Sequence, residues 1–166
     1  QYIRQIKEGL IIPAAKPEII GESPSTAQVD GHYGFGQVAA QFSTETAIDK
    51  AKKQGISCVT VCHLGHLGRL GAYAEMMARA GCAGILYCSV GGHAISQAPF
   101  GGCKRMLATN PIAMAFPSEE EGVVLSDFAT SVAAEGKIRV YRARGQKLPD
   151  GWILDKEGHP SNDPND

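Results

Sequence analysis

No CxxC pair occurs among the five cysteines, at positions 58, 62, 82, 88 and 103, and their number is odd. They therefore read as free thiols in a reducing compartment rather than as a disulfide framework. Four of the five lie in apolar, strand-like runs, which predicts that they are buried. No apolar stretch approaches the roughly 18 residues of a membrane span, and no signal-peptide pattern is present. The expectation is a cytoplasmic protein with no membrane partner. A surplus of one charge is missing too. The formal net charge is −1, so no global field recruits nucleic acid or an anionic surface. The one basic run, Lys137, Arg139, Arg142, Arg144 and Lys147, has the spacing of a solvated helix face. Internal repeats and low-complexity tracts are absent.

What is present is an ordinary globular chain of 166 residues, 43% hydrophobic and 20% charged, enough for one domain with its own core. Residues 1–30 read as a helix end followed by an extended, Pro-containing connector. Residues 31–166 read as an α/β domain. VDGHYGFGQ (29–37) is a Gly-rich turn. A helix is expected over about 37–54 with Gly55 as its stop, and a second over about 69–80 with Gly81 as its stop. ISCVTVC (56–62) and CAGILYCSV (82–90) have no polar face and suit buried strands. Strand, helix and strand here form a βαβ unit with a parallel crossover. PIAMAFP (111–117) and GVVLSD (122–127) are two more strands, joined by a turn short enough for an antiparallel hairpin. The expected fold class is therefore α/β, a mixed sheet with helices on its faces. A last helix covers about 132–144. The chain starts at Gln1 inside a helical phrase and stops at SNDPND, which suggests a piece of a longer protein.

Chemistry concentrates where the strands end, because ligands collect outside the carboxyl ends of strands in open α/β sheets. Three segments end there: HLGHLGR, SVGGHAISQAPFGG and DFATS. CHLGHLGR (62–69) carries a thiol, two imidazoles and a guanidinium. As a metal site it is short of ligands. Cys62 and His63 are adjacent and point to opposite faces of a regular strand. His63 and His66 lack an obvious third partner, with Cys88 and His93 the only nearby candidates, at no recognised spacing. No metal ligand is assigned. As a nucleotide loop, Gly65, Gly68 and Gly71 form GxxGxxG rather than the dinucleotide fingerprint GxGxxG, and no acidic residue follows at the required distance. As an acid–base site, His66 stands past the strand end between glycines, where an imidazole can give or take a proton at neutral pH. The bland alternative is a surface turn, with Arg69 as a salt-bridged helix start.

DGHYGFGQ, HLGHLGRLGAYAEMMARAG, APFGG, ATNPIAMAFP and LSDFATSVAAEGKIRVYRARGQKLPDGWILDKEGHPSNDP, in this order, resemble the type 2 malate/L-lactate dehydrogenase family. That family includes ureidoglycolate, sulfolactate and hydroxycarboxylate dehydrogenases. The resemblance covers essentially the whole chain. It implies the non-Rossmann, L-sulfolactate dehydrogenase-like nicotinamide-binding fold. It also implies reversible oxidation of a small 2-hydroxy acid to a 2-oxo acid with NAD or NADP, in a homodimer. By the same resemblance His66 is the catalytic histidine. Asp127, Phe128 and Ala129 match the family's D-M-A cofactor contact, and Ser89 or Val90 its residue at the second strand end. Thr109 and Asn110 stand in a TNP turn bordering the same pocket. The family's Ser-His-Gly segment and its C-terminal Gly-rich run fall outside these residues, and its usual Asn pair reads His63-Leu64-Gly65. Two other function classes compete with the dehydrogenase. One is a non-catalytic ligand-binding or oligomerising fragment. The other is a zinc hydrolase built on Cys62, His63, His66 and His93.

Overall fold

The computed structural model describes residues 2–89, 95–120 and 122–166. Along the chain the elements are α1 (Tyr2–Lys7), β1 (Glu18–Glu22), β2 (Thr26–Gly34), α2 (Gly36–Gln54), β3 (Cys58–Leu64), α3 (Gly71–Arg79), β4 (Gly84–Tyr87), β5 (Ile112–Ser118), β6 (Gly122–Phe128), α4 (Glu135–Ala143), β7 (Ile153–Leu154) and β8 (Pro160–Ser161). The chain divides into two compact units, residues 1–86 with 113–126, and residues 87–112 with 127–166.

The strands form three sheets, β1-β2-β3, β4-β5-β6 and β7-β8. β1 and β2 run antiparallel with a register shift between Ile19 and Gly21. β2 and β3 run parallel, with Asp30 opposite Cys62. Their long connection is α2, as a parallel pair requires. The βαβ unit is therefore β2-α2-β3. The expected unit, β3-α3-β4, is not formed: β3 and β4 belong to different sheets. The reason lies in residues 26–34. They read as connector and Gly-rich turn, yet they alternate buried and exposed along TAQVDG, with Val29 fully enclosed. That makes them a strand able to pair with β3. β5 and β6 are sheet neighbours joined by only residues 119–121, which matches the expected hairpin.

Alanines let α2 lie close on β2 and β3: Ala39, Ala40 and Ala47 are buried on its inner side. Gly55 ends α2 in the left-handed region at φ 83°, and Gly81 does the same just after α3 at φ 82°, as their positions predict. Ala74 and Ala78 of α3 are buried, with Leu70 and Tyr73 beside them; each of the two large side chains contributes about 1.5–3 kcal/mol on burial. In the second unit Leu148, Ala108 and Ala133 are buried. There Trp152 packs edge-on to Tyr141 at 5.7 Å, with the Lys137 ammonium 5.9 Å from its ring. The basic face of α4 is spent locally: Arg139 pairs with Glu135, and Arg142 donates to the Pro164 carbonyl.

Two burial expectations fail. β3 is not buried, because it is the edge strand of its sheet and only Val59, Val61 and Leu64 are partly covered. The cysteines are free, as expected, but Cys58, Cys62 and Cys103 are exposed and Cys82 and Cys88 only partly covered. Among the described residues no helix is long and apolar enough to cross a membrane.

Candidate active site

The turn after β3 is held from both sides. On one side Tyr73 Oη donates to the Leu67 carbonyl at 2.6 Å. Arg69 pairs with Glu75 at 3.0 Å, and Arg79 pairs with the other carboxylate oxygen at 2.7 Å. Arg79, then Arg69, hold the Glu75 carboxyl below the usual glutamate range. Arg69 is thus the salt-bridged helix start that its position suggested. On the other side α2 begins directly against the turn. A Cβ on Gly36 would overlap the carbonyl oxygens of Gly65 and His66, so only glycine permits this approach. Gly65 N–H donates to the Gly34 carbonyl at 3.0 Å.

His66 projects from this turn and is exposed. The Gly68 N–H donates to its Nδ1 at 3.2 Å. Tyr2 Oη lies 3.0 Å from the same nitrogen, and Gln37 Nε2 donates to Tyr2 Oη at 2.7 Å. A backbone N–H can only donate, so Nδ1 holds a lone pair and the neutral ring carries its proton on Nε2. Tyr2 is oriented further by Phe35, whose ring centroid is 6.1 Å away. Tyr2 and Gln37 escaped sequence reasoning. Tyr2 is 64 residues from His66 in a helix of six residues, with no local mark of its role. The available signal was the glycine of FGQ, which announced a close approach beside Gln37.

His63, three residues before, belongs to a second group. It adopts φ 51°, in the left-handed region, which breaks the strand alternation. Its ring therefore does not turn away from Cys62: Nδ1 is 3.6 Å from Cys62 Sγ and 2.9 Å from Asp30 Oδ2. Asp30 is the third partner that spacing could not reveal, because it comes from β2 through the parallel register. Its other oxygen accepts the His32 N–H at 2.7 Å. That bond, then the one from His63, keeps the Asp30 carboxyl below its usual range. Of the quartet Cys62, His63, His66 and His93, Cys62 and His63 stand together while His66 turns to Tyr2 and Gly68; His93 lies outside the described residues.

The residues matched to the cofactor lie in the second unit. Thr130 ties two of their segments together: its N–H donates to the Thr109 carbonyl at 3.0 Å, and its hydroxyl lies 3.1 Å from the carbonyls of Thr109 and Asn110. Cys88 N–H donates to the Pro111 carbonyl at 3.2 Å, which brings Ser89 to the same strand ends. Asp127, Phe128 and Ala129 lead from β6 into Thr130. Thr109 and Asn110 are thus joined to the Asp127–Ala129 turn, and Ser89 follows the strand beside them. Val90 lies outside the described residues. Asn110 sits at φ 37° with its side-chain Oδ1 buried and no hydrogen-bond partner among the described residues.

A family model described as malate/L-lactate dehydrogenase matches residues 1–166. The chain belongs to the malate/L-lactate dehydrogenase family. Within this dehydrogenase family it is 42% identical to a malate dehydrogenase of Pyrococcus abyssi, over 95% of this chain and 42% of that protein. Its fold is similar to that of malate dehydrogenase from Entamoeba histolytica, with a TM-score of 0.91 at 38% identity, covering 99% of this chain and 45% of that one. Sulfolactate dehydrogenase from Methanocaldococcus jannaschii gives a TM-score of 0.84 at 38% identity, covering 99% and 46%. The expected mixed α/β, L-sulfolactate dehydrogenase-like fold is therefore present. The chain spans somewhat under half the length of the curated relatives it matches.

Proposed function

We propose that this protein transfers a hydride between NAD or NADP and a small 2-hydroxy/2-oxo acid of the malate or lactate type, with His66 moving the proton of the substrate oxygen. The observation that carries the proposal is the anchoring of His66. Two partners engage Nδ1 and fix the ring, and the ring stands exposed to a substrate, in a chain of the dehydrogenase family. The remainder of the reading is a cytoplasmic homodimer, with residues 31–166 carrying the cofactor.

When bound, the nicotinamide supplies the hydride acceptor or donor. The residues matched to it fit such a group: the buried Asn110 Oδ1 lacks a donor, and a carboxamide N–H provides one. Ser89, Val90, Thr109, Asp127, Phe128 and Ala129 complete the assignment. In oxidation, the C2 hydrogen leaves as hydride and the hydroxyl proton passes to His66 Nε2 of the ring's other tautomer, in which Nδ1–H donates to Tyr2 Oη and the Gly68 N–H contact is released. In reduction, His66 returns a proton to the same oxygen. Either direction requires Nε2 to alternate between bare and protonated. Tyr2 supports this because its hydroxyl either donates to Nδ1 or accepts from it, while Gln37 continues to donate to the phenol oxygen.

The test is His66→Ala in the protein carrying the family's full length. Turnover falls about 10²–10⁴-fold, while NADH or NADPH affinity, read by quenching of Trp152, changes little. Unaltered turnover removes His66 from the mechanism. Absence of any nicotinamide response in the unsubstituted protein removes the dehydrogenase reading.

A further inference from the structure

Asp30, Cys62 and His63 bring an oxygen, a sulfur and a nitrogen within 4.8 Å of one another. They lie on β2 and β3, apart from the contacts that hold His66. The arrangement resembles a Cys-His-Asp nucleophile system but cannot work as one. Such a system needs the two ring nitrogens divided between thiol and carboxylate. Here both groups address the same nitrogen, Nδ1, at 3.6 and 2.9 Å. A proton on Nδ1 can serve only one of them at a time, whereas a cation among the three atoms serves all of them.

We infer that Asp30 Oδ2, Cys62 Sγ and His63 Nδ1 bind one divalent cation of the zinc class, with a fourth position open to water. The donor set is borderline, one thiolate, one imidazole and one carboxylate, which suits Zn²⁺ or Co²⁺ and disfavours Mg²⁺ or Ca²⁺. The sulfur–nitrogen distance agrees. Tetrahedral bonds of about 2.3 Å to sulfur and about 2.1 Å to nitrogen set those atoms about 3.6 Å apart, and the Sγ–Nδ1 distance is 3.6 Å. The oxygen–nitrogen edge of such a tetrahedron is about 3.4 Å, so the 2.9 Å hydrogen bond opens by a small rotation of the carboxylate. Its other oxygen stays on the His32 N–H, the kind of outer bond that orients a metal-binding carboxylate. The His63 side chain is 49% exposed and Cys62 is exposed, so an ion reaches the site from solvent. Bound there, it cross-links β2 to β3 at the point from which the His66 turn departs. Binding releases the Cys62 thiol proton.

The test is titration of the chain with Co²⁺, read by the thiolate-to-cobalt charge-transfer absorption, followed by displacement with Zn²⁺. One Co²⁺ per chain is expected, with the band abolished in Cys62→Ser and unchanged in Cys58→Ser. His63→Asn keeps a residue that tolerates the left-handed backbone and weakens binding at least about tenfold, as does Asp30→Asn. Zn²⁺ raises the melting temperature of the unsubstituted chain and leaves that of Cys62→Ser unmoved. No band in the unsubstituted chain, a band that survives Cys62→Ser, or full affinity in His63→Asn overturns the site. None of these readings depends on dehydrogenase activity.

Discussion

Gly36, the first residue of α2, lies against the backbone of Gly65, so that the helix start and the His66 turn share a space with no room for a Cβ. The obstruction is backbone, which cannot rotate away as a flexible side chain does. This contact positions His66 and places Gln37, the next residue, within reach of Tyr2.

Gly36→Ala is therefore expected to displace the turn. The overpacking costs about 1–3 kcal/mol, read as a lower denaturation midpoint. In the full-length protein the proposed turnover falls with it, since a displacement of about 1 Å at a proton-transferring group costs about 10²-fold. Wild-type stability in Gly36→Ala would show that the turn relaxes freely.

Tyr2→Phe keeps the ring beside Phe35 and removes the hydroxyl between Gln37 and His66. Stability changes by about 0.5–1.5 kcal/mol. The diagnostic readout is the split of kcat against KM in the full-length protein: kcat falls while KM changes little, because the imidazole loses the hydroxyl that orients it. An unchanged kcat assigns Tyr2 to packing alone.

Asn110→Gly retains access to φ 37° and deletes the buried amide. Loss of one hydrogen bond to the cofactor is worth about 1–1.5 kcal/mol, hence roughly a tenfold rise in the Kd for NADH or NADPH. Asn110→Ala is expected to be less stable than Asn110→Gly, because alanine resists a left-handed backbone. An unchanged Kd in both variants removes Asn110 from the cofactor site.

Glu75 links the His66 turn to α3 electrostatically. Its folded pKa is lowered from 4.5 by Arg79 and Arg69. A depressed carboxylate binds fewer protons folded than unfolded, so its stabilisation is present above about pH 4.5 and is lost as pH falls through the lower folded value. Glu75→Gln, which resembles the protonated residue, is expected to lower the neutral plateau slightly and to flatten the acid limb of melting temperature against pH by the same small amount, since the carboxylate lies near the surface. An unchanged acid limb assigns acid sensitivity to other carboxylates, Glu22 with its Lys50 partner among them.

The elements were legible along the chain wherever the signal is local. Gly55 and Gly81 stop helices because they adopt a left-handed conformation that other residues resist. α3, α4, β5 and β6 fall within a few residues of their expected spans, since helical and strand periodicity is a property of neighbouring residues. The malate/L-lactate dehydrogenase family was likewise readable, through motifs in order. Pairing was not. That β3 takes β2 rather than β4 depends on which distant segment closes on it, and periodicity within a segment carries no information about that choice. The same limit hid Tyr2 behind His66 and Asp30 behind Cys62. His63 shows the sharper case: the alternation rule sets it opposite Cys62, but a φ of 51° at that residue turns its ring toward Asp30. Residue types, helix stops and the spans of α3, α4, β5 and β6 followed from the sequence, whereas the strand at 26–34 and the partners of each side chain were decided by strand register and by a backbone bend, which exist only once the chain has folded.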